Sequence, residues 1–315
     1  MATEFERIAL IQAILGPPPN DVPLGIGDDA AIVAPCQPSQ QLVWTVDSFV
    51  EGVHFRSDLM TWRDVGWRSL MTAASDLAAM AATPVGALAA LVLPTSLHDD
   101  DLLDIARGQH DAAQTISTAV VGGNLSRGSE VSISTTLLGR TSVPARRDSA
   151  RAGHVLVACG DLGLAAAGLR LLLRDPKHPP DDADALCAIE AFRHPVARIA
   201  DGLRFGPVGS SLIDVSDGLA QDAAHICEAS RVRIEIDLGA LIDDRIARLA
   251  RRVGVDASEL VLNGGDDYAL LGTVAADQVP EGFRVIGRCV EGQGVWLTGT
   301  NRRIDLHGHD HFRTA

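Results

Sequence analysis

The sequence predicts an α/β (α+β) fold with two mixed α/β domains, and three observations support this prediction. The chain has 315 residues, about twice the length of a typical domain. Strand-like and helix-like patterns run through it twice, and a polar stretch rich in Arg and Ala, residues 141–153, separates the two runs. We therefore expect one domain at residues 1–145 and a second at residues 146–315.

In the first half, proline and charge mark where the predicted elements begin and end. An amphipathic segment at the start is closed by Gly16 and three prolines. A later Ala-rich segment with helical spacing is stopped at Pro84, and three aspartates suit the first turn of the helix after that because of the helix dipole. The predicted elements are helices at 4–15, 61–82 and 99–117, and strands at 32–33, 42–46, 85–93, 118–123 and 131–139.

The second half repeats the pattern of short apolar strands followed by helices. Residues 155–159 form an apolar run after the polar junction, and the proline-rich residues 175–182 form a loop between two helical segments. The predicted elements are helices at 161–173, 183–192 and 217–230, and strands at 155–159, 212–215, 232–238 and 284–289.

Composition argues against several classes of protein. The net charge of −14 repels nucleic acid and anionic membranes, and only 4% of residues are aromatic, too few for a surface on which bases stack. The five cysteines are scattered, as in a reducing compartment, rather than spaced for disulfides or zinc. The N-terminus lacks the apolar core of a signal peptide, and no apolar run approaches the roughly 18 residues of a membrane span. These features predict a cytoplasmic protein without nucleic-acid or membrane partners.

Two adjacent carboxylates, Asp28 and Asp29, follow a Gly-x-Gly turn in the stretch LGIGDDAAIV. Two unit charges 4 Å apart repel by roughly 1 kcal/mol in water and about 4 kcal/mol at an effective dielectric constant near 20. The pair therefore either faces open water or lies against a positive group such as a metal ion.

Asp47 and Asp76 stand in apolar surroundings. Asp47 ends an apolar strand in WTVDSFVEGVHF, where it either projects into a cleft or simply terminates the strand. Asp76 lies in the Ala-rich helix SLMTAASDLAAMAATP, where a charge is costly unless it is paired or binds a metal ion. The alternative for Asp76 is that the helix has one polar edge.

Two further acidic motifs lie in the second half. In LIDVSDGLAQD, a strand carrying Asp214 runs into a helix, so Ser216 and Asp217 fall near the helix N-terminus, which suits a phosphate or a bridging cation. Asp217 could instead be a helix N-cap. In LNGGDDYALL, two glycines before Asp266 and Asp267 indicate a tight turn or an ordinary loop.

The stretch VVGGNLSRG is a candidate phosphate-binding segment. Gly122 and Gly123 follow an apolar run and can present backbone N–H groups to phosphate, with Arg127 nearby. The chain has neither a P-loop motif nor a Rossmann fingerprint in a suitable context. Taken together, the acidic motifs supply hard oxygen ligands, which select Mg²⁺ between carboxylates and phosphates.

Seven motifs occur in the order GIGDDAAIV, VDSFVEGVHF, SDLAAMAATP, VVGGNLSRG, DVSDGLAQD, NGGDDYALL and GHDHF. As an ordered set covering residues 24–312, they strongly resemble the thiamine monophosphate kinase family. That family shares a superfamily with aminoimidazole ribonucleotide synthetase, selenophosphate synthetase and a hydrogenase maturation protein. The resemblance implies an N-terminal domain that binds ATP and magnesium and forms a homodimer through its sheet, followed by a C-terminal α/β domain.

The resemblance also implies roles for individual residues. The implied magnesium ligands are Asp29, Thr45, Asp47, Asp76, Asn124, Asp214 and Asp217, with a backbone contact from Val46. Asp28, beside Asp29, can bind or support the metal. The implied ATP contacts are Gly122, Gly123, Arg147 and Ser216. The implied substrate contacts are His54, Asp266 and His309. The residues expected to act in catalysis are Asp47, Asp217 and Arg147.

Three positions depart from the family pattern. Asn124 stands where the family often has Asp, and its amide oxygen is a weaker, uncharged magnesium ligand. Asp266 stands where the family usually has Glu, and His309 replaces an aromatic residue that would stack on the thiamine ring. Because two of these changes touch the substrate, the substrate is less strongly specified than ATP and magnesium.

The resemblance implies ATP-dependent phosphorylation of thiamine monophosphate to thiamine diphosphate. The acceptor phosphate has a second pKa near about 6, so it is mostly dianionic at neutral pH and needs no general base. Several Mg²⁺ ions would neutralise the two polyanions and align them for in-line transfer.

Other members of the superfamily are the alternatives. Selenophosphate synthetase is disfavoured because no cysteine precedes Asp28, and the hydrogenase maturation protein because the chain ends in HFRTA. Aminoimidazole ribonucleotide synthetase fits the fold, but the GHDHF ending favours the kinase. Asn124 and His309 would suit a relative that binds ATP without catalysis.

Overall fold

The structure is a computed structural model of the chain, and it describes residues 3–26, 30–300 and 302–305. Within them the chain forms two compact units. The first unit comprises Met1–Leu77 and Ala82–Ser142, and the second comprises Ala78–Ala81 and Val143–Ala315. Each unit contains one β-sheet together with α-helices, which confirms the predicted fold class of two mixed α/β domains. The predicted boundary after residue 145 and the separate role of each domain stay predictions.

The first unit contains a four-stranded sheet with the strand order β1-β4-β2-β3. β2 and β3 run parallel, whereas β4 is antiparallel to both β1 and β2. The elements are α1 (Glu4–Leu15), β1 (Gln41–Val50), α2 (Trp62–Ala79), β2 (Thr83–Leu93), α3 (Asp99–Thr115), β3 (Val120–Arg127) and β4 (Ser132–Thr141).

Helix α2 covers one face of this sheet. Leu77 of α2 lies against Gly139 of β4, where an added Cβ would be 3.0 Å from the leucine side chain. α2 also packs closely on α3, because a Cβ at Gly66 or at Gly108 would come within 2.0 Å of the backbone of the facing helix. The small residues of the sequence thus let the two helices approach backbone to backbone.

The second unit contains a six-stranded sheet with the strand order β10-β7-β9-β5-β8-β6. β10 and β7 are parallel, and the other neighbouring strands are antiparallel. The elements are β5 (Val155–Cys159), α4 (Leu164–Arg174), α5 (Ala183–Arg193), α6 (Ile199–Phe205), β6 (Ser211–Val215), α7 (Leu219–Ser230), β7 (Arg233–Ile236), α8 (Asp244–Val253), α9 (Ala257–Asn263), β8 (Ala269–Val274), β9 (Arg284–Val290) and β10 (Gly294–Leu297).

Apolar residues of the second unit form two hydrophobic cores. The larger core joins inward residues of the strands, such as Ile213 and Leu271, with α4, α5, α7, α8 and α9. A smaller core surrounds Phe205 of α6 and includes Ala78 and Ala79 at the end of α2. None of the described helices is long and apolar enough to cross a membrane.

Most predicted elements are present, but four details were wrong. Residues 32–33 do not form a strand, because Ile32 makes only an isolated bridge with Leu24. The strand predicted at 118–123 continues to Arg127 as β3, since its glycines pair with β2 instead of ending the strand. Pro84 lies inside β2, and α7 begins at Leu219 rather than at Asp217. The elements α6, α8, α9, β8 and β10 were not predicted.

Candidate active site

The alternation of β1 sorts its side chains onto two faces of the first sheet. Successive strand residues point to opposite faces, so Thr45, Asp47 and Phe49 share the face that carries α2. The side chains of Trp44 and Val46 point to the other face and are exposed. Val46 can therefore contribute only backbone atoms on the side of Asp47.

Thr45, Asp47 and Asp76 come together in the first unit. The Thr45 hydroxyl donates a short hydrogen bond to the Asp76 carboxylate, which joins β1 to α2. Asp47 is exposed when the whole residue is considered, but its carboxyl group is partly desolvated. This desolvation raises the pKa of Asp47 to about 6, and repulsion from Asp76 adds to the rise. Asp76 is half-buried, and the two neighbouring carboxylates form a site of concentrated negative charge.

Gly123 lies on the same lateral row of the sheet as Asp47. The row runs from Asp47 through Thr135 and Ala89 to Gly123. Three strand spacings correspond to about 14 Å, so the sheet places the two residues side by side but not in contact. β3 is an edge strand, and half of its backbone N–H and C=O groups face outward, where a phosphate could approach Gly122 and Gly123.

The close packing of β2 against β3 also explains why position 123 is a glycine. A Cβ there would lie 1.9 Å from the Ala89 carbonyl oxygen, so β2 and β3 could not approach each other as they do. The neighbouring Asn124 is exposed within β3 and pairs with Ala90. The close pairing of β2 and β3 therefore requires glycine at position 123, and the strand continues through both glycines instead of ending at them.

His54 lies in a turn directly after β1. Its Nδ1 accepts a hydrogen bond from the Val50 N–H (3.1 Å), which places a ring proton, when the imidazole is neutral, on Nε2. The ring lies beside Phe49, with 6.1 Å between ring centroids. Asp28, Asp29 and His309, which were also predicted to contact metal or substrate, lie outside the described residues.

In the second unit, Asp214, Asp217 and Asp222 lie close together. Asp214, in edge strand β6, is only 6% exposed, and Asp217 is half-buried just after the strand ends. Gly218, with φ 117°, stands between Asp217 and α7, so Asp217 is not the N-cap of that helix. Burial raises the pKa of Asp222 to about 8, with contributions from the neighbouring Asp214 and Asp217.

A possible metal-binding group of Asp217, Asp222 and His225 was missed in the sequence. One ligand atom of each residue lies within 4.8 Å of the others. Asp222 is 2% exposed and accepts a hydrogen bond from the Ser216 N–H (3.1 Å). The available signal was the spacing of Asp222 and His225 on one face of α7, three residues apart.

Arg147 and Ser216 lie at opposite ends of β6. The Arg147 carbonyl accepts hydrogen bonds from the hydroxyls of Ser211 (3.1 Å) and Ser230 (2.8 Å), which fixes its turn at the start of the strand. Ser216 follows the end of the strand, about 17 Å from Ser211 at the usual rise per residue. Both residues are exposed, but the described contacts do not bring the two predicted ATP contacts together.

Asp266 and Tyr268 are bound to the end of β6. The Asp266 N–H donates to the Ser216 carbonyl and the Tyr268 N–H to the Val215 carbonyl, both at 2.8 Å. The Tyr268 hydroxyl donates to Asp266 Oδ1 (3.1 Å). The predicted substrate residue thus lies beside the acidic residues that follow β6.

The neighbouring Asp267 carboxylate accepts hydrogen bonds from the N–H groups of Gly163 (2.8 Å) and Ala165 (3.4 Å). The residue keeps a little accessible surface, but burial of the carboxyl group raises its pKa to about 8. Its partners are about a hundred residues away in the chain, so no local pattern could have identified them.

The chain is similar to known proteins over most of its length. Residues 27–141 match the family model described as AIR synthase related protein, N-terminal domain. A thiamine-monophosphate kinase from Corynebacterium glutamicum is 34% identical over 296 residues, which cover 90% of this chain and 85% of that protein.

Two solved structures are similar to this chain over most of its length. The thiamine-monophosphate kinase from Stenotrophomonas maltophilia has a TM-score of 0.82 at 34% identity, covering 93% of this chain and 95% of its own. A structure described as AaThiL complexed with AMPPCP and TMP has a TM-score of 0.82 at 33% identity, covering 99% of each chain.

Proposed function

We propose that this chain, which belongs to the thiamine-monophosphate kinase family, transfers the terminal phosphoryl group of ATP to thiamine monophosphate. The products are ADP and thiamine diphosphate. Membership of the family, expected from the seven ordered motifs, is confirmed by the relatives. The solved relative that carries AMPPCP and TMP supports the choice of the two substrates.

The observation that carries the proposal is the concentration of acidic side chains in each unit. Burial raises the pKa values of Asp47 and Asp222, and repulsion adds to the rise, from Asp76 on Asp47 and from Asp214 and Asp217 on Asp222. Clustered carboxylates of this kind are stabilised by a cation that lies against them, and carboxylate and hydroxyl oxygens are the ligands that Mg²⁺ prefers. These residues therefore fit magnesium, and we expect several ions.

The chain's own residues would bind and orient the two substrates. Thr45, Asp47 and Asp76 would hold magnesium in the first unit, and Asp214 and Asp217 would hold it in the second. Magnesium, when bound, neutralises the phosphate oxygens of both substrates and so favours in-line transfer.

Arg147, Asp266 and His54 would act directly on the substrates. The exposed guanidinium of Arg147 adds positive charge at the ATP phosphates. Asp266 and His54 contact thiamine monophosphate, whose phosphate is already dianionic at neutral pH and needs no general base. Catalysis in this account is positioning together with electrostatic stabilisation.

Exposed apolar side chains on one face of the first sheet support the proposed homodimer. Leu42, Trp44 and Val46 alternate along edge strand β1 and are 57%, 72% and 62% exposed. Leu138 and Leu88 lie on the same face, opposite Trp44 and in the row of Val46. Exposed apolar residues clustered in this way are typical of a protein interface, and we propose that a second copy of the chain covers them, in the cytoplasm.

The proposed reaction is tested by incubating purified protein with ATP, MgCl₂ and thiamine monophosphate and separating the products by chromatography. The expected result is thiamine diphosphate and ADP in equal amounts, lost on chelation, with thiamine as the control acceptor. ADP formation that depends on a different phosphorylated substrate would indicate another enzyme of the superfamily. ATP binding without turnover of any acceptor would indicate a relative that only binds nucleotide.

A further inference from the structure

The loop of residues 264–268, here called the acceptor loop, has an unusual backbone. Gly265 has φ +70°, and the two non-glycine residues Asp266 and Tyr268 have φ +61° and +47°. L-amino acids rarely adopt this left-handed conformation, which persists only where surrounding contacts impose it. The contacts that impose it therefore also determine where the Asp266 carboxylate lies.

Asp267 fixes one side of the acceptor loop by capping a distant helix. Helix α4 has Gly163 at its N-cap, so the helix has no capping side chain of its own. The Asp267 carboxylate instead accepts the N–H groups of Gly163 and Ala165, at the positive end of the helix dipole. Other helices of this unit, such as α8 with Asp243, are capped by their own aspartate.

The other side of the acceptor loop is fixed to the end of β6. The N–H groups of Asp266 and Tyr268 donate to the carbonyls of Ser216 and Val215. The Tyr268 hydroxyl also donates a hydrogen bond to Asp266 Oδ1, so the residue two positions later holds the carboxylate. The loop is thus fixed between α4 and β6, with Asp266 at its centre.

We infer that Asp267 and Tyr268 are positioning residues for the phosphate acceptor: Asp267 imposes the loop conformation and Tyr268 orients the Asp266 carboxylate. This inference rests on the proposed function, in which Asp266 contacts thiamine monophosphate. Neither residue needs to touch the substrate. Their loss would displace Asp266, and a displacement of about 1 Å is enough to change substrate recognition by one or two orders of magnitude.

The experiment compares steady-state kinetics of the full-length protein with those of three variants. Asp267→Asn replaces one of the two accepting oxygens with an amide N–H₂, which then points at one of the two backbone donors. Tyr268→Phe removes only the hydroxyl that bonds Asp266. Asp243→Asn is the matched control, since it makes the same change at a helix cap that does not contact the acceptor loop. KM is measured separately for thiamine monophosphate and for ATP, and thermal unfolding is recorded for each variant.

We expect Asp267→Asn to raise KM for thiamine monophosphate on the order of tenfold, and Tyr268→Phe several-fold, with KM for ATP within about twofold of wild type. Asp243→Asn should leave both KM values unchanged. A purely structural role would lower the unfolding temperature and the active fraction without changing KM for the acceptor, and that result would overturn the inference. If Asp267→Asn does not fold, an unchanged KM in Tyr268→Phe overturns it.

Failure of the proposed function has a different signature. Wild-type protein that does not phosphorylate thiamine monophosphate removes the basis of this inference together with the proposed reaction. Active wild-type protein with unchanged acceptor KM in folded variants removes the inference alone.

Discussion

Replacing Gly123 with alanine is expected to destabilise the first unit, whereas the same change at Gly122 is expected to be nearly neutral. A Cβ at position 123 would lie 1.9 Å from the Ala89 carbonyl oxygen and 2.8 Å from its carbon, both backbone atoms of β2. At position 122 the nearest atom is the end of the flexible Leu88 side chain, 2.8 Å away. Comparing the two variants thus separates the effect of the steric clash with β2 from the effect of replacing a strand glycine as such.

The size of the effect follows from these distances. Ordinary contact begins near 3.4 Å, so β3 must move by about 1.5 Å to admit the new Cβ at position 123. Overpacking of this kind costs about 1–3 kcal/mol, and weakened strand pairing adds about 1 kcal/mol. Alanine in a strand recovers about 0.5–1 kcal/mol relative to glycine. The middle of these ranges is a net loss of roughly 2 kcal/mol, or a fall in Tm of roughly 5–10 °C.

Unfolding followed by tryptophan fluorescence is a suitable assay. Three of the four tryptophans, Trp44, Trp62 and Trp67, belong to the first unit, so the signal reports mainly on it. Gly122→Ala is the control and should unfold within about 1 kcal/mol of wild type. If Gly123→Ala is as stable as Gly122→Ala, close strand packing is not the reason for glycine at this position.

Three further predictions concern association, pH and cysteine reactivity. Trp44→Glu should convert a dimer into a folded monomer in size-exclusion chromatography with light scattering, because it places a charge in the apolar face; an unchanged mass would exclude this face as the interface. Burial raises the pKa of Asp267 in the folded protein from its ordinary value of 3.8 to about 8, and repulsion from Asp266 and Asp161 adds to the rise. The contribution of Asp267 to stability is therefore largest at low pH and is lost as pH rises from about 4 through about 8. The stability advantage of wild type over Asp267→Asn should therefore shrink between pH 5 and pH 9 in thermal unfolding, and an advantage that grows would contradict the assignment. Burial raises the pKa of Cys159 and Cys227 to about 11 and of Cys289 to about 12, so these thiols should react with a thiol reagent only on unfolding; fast labelling in the native protein, located by mass spectrometry, would contradict their burial.

Local patterns were sufficient for much of the fold. Proline and charge located α1 and α3 because capping and the helix dipole act within one turn. Helix α8 was missed although its apolar residues follow helical spacing, and strand β8 was missed although it begins with an apolar run and is buried throughout. Gly122 and Gly123 were misinterpreted as the end of a strand, since the contact that requires glycine comes from β2 and is invisible in the local sequence.

The candidate site was predictable where family motifs mark it and unpredictable where it depends on distant contacts. Asp76 was singled out because a charge in an apolar helix needs a partner, and the structure supplies Thr45. Asp222 was passed over although its helical spacing to His225 was visible. Asp267 could not be assigned a role, because its partners on α4 lie about a hundred residues away.

The central claim is transfer of a phosphoryl group to a phosphate acceptor, and phosphorus NMR of the reaction mixture tests it most directly. With ATP, MgCl₂ and thiamine monophosphate, we predict that the monophosphate signal is replaced by the two coupled signals of a diphosphate ester, in step with ADP formation. Release of inorganic phosphate with ADP while the thiamine monophosphate signal stays unchanged would contradict the account.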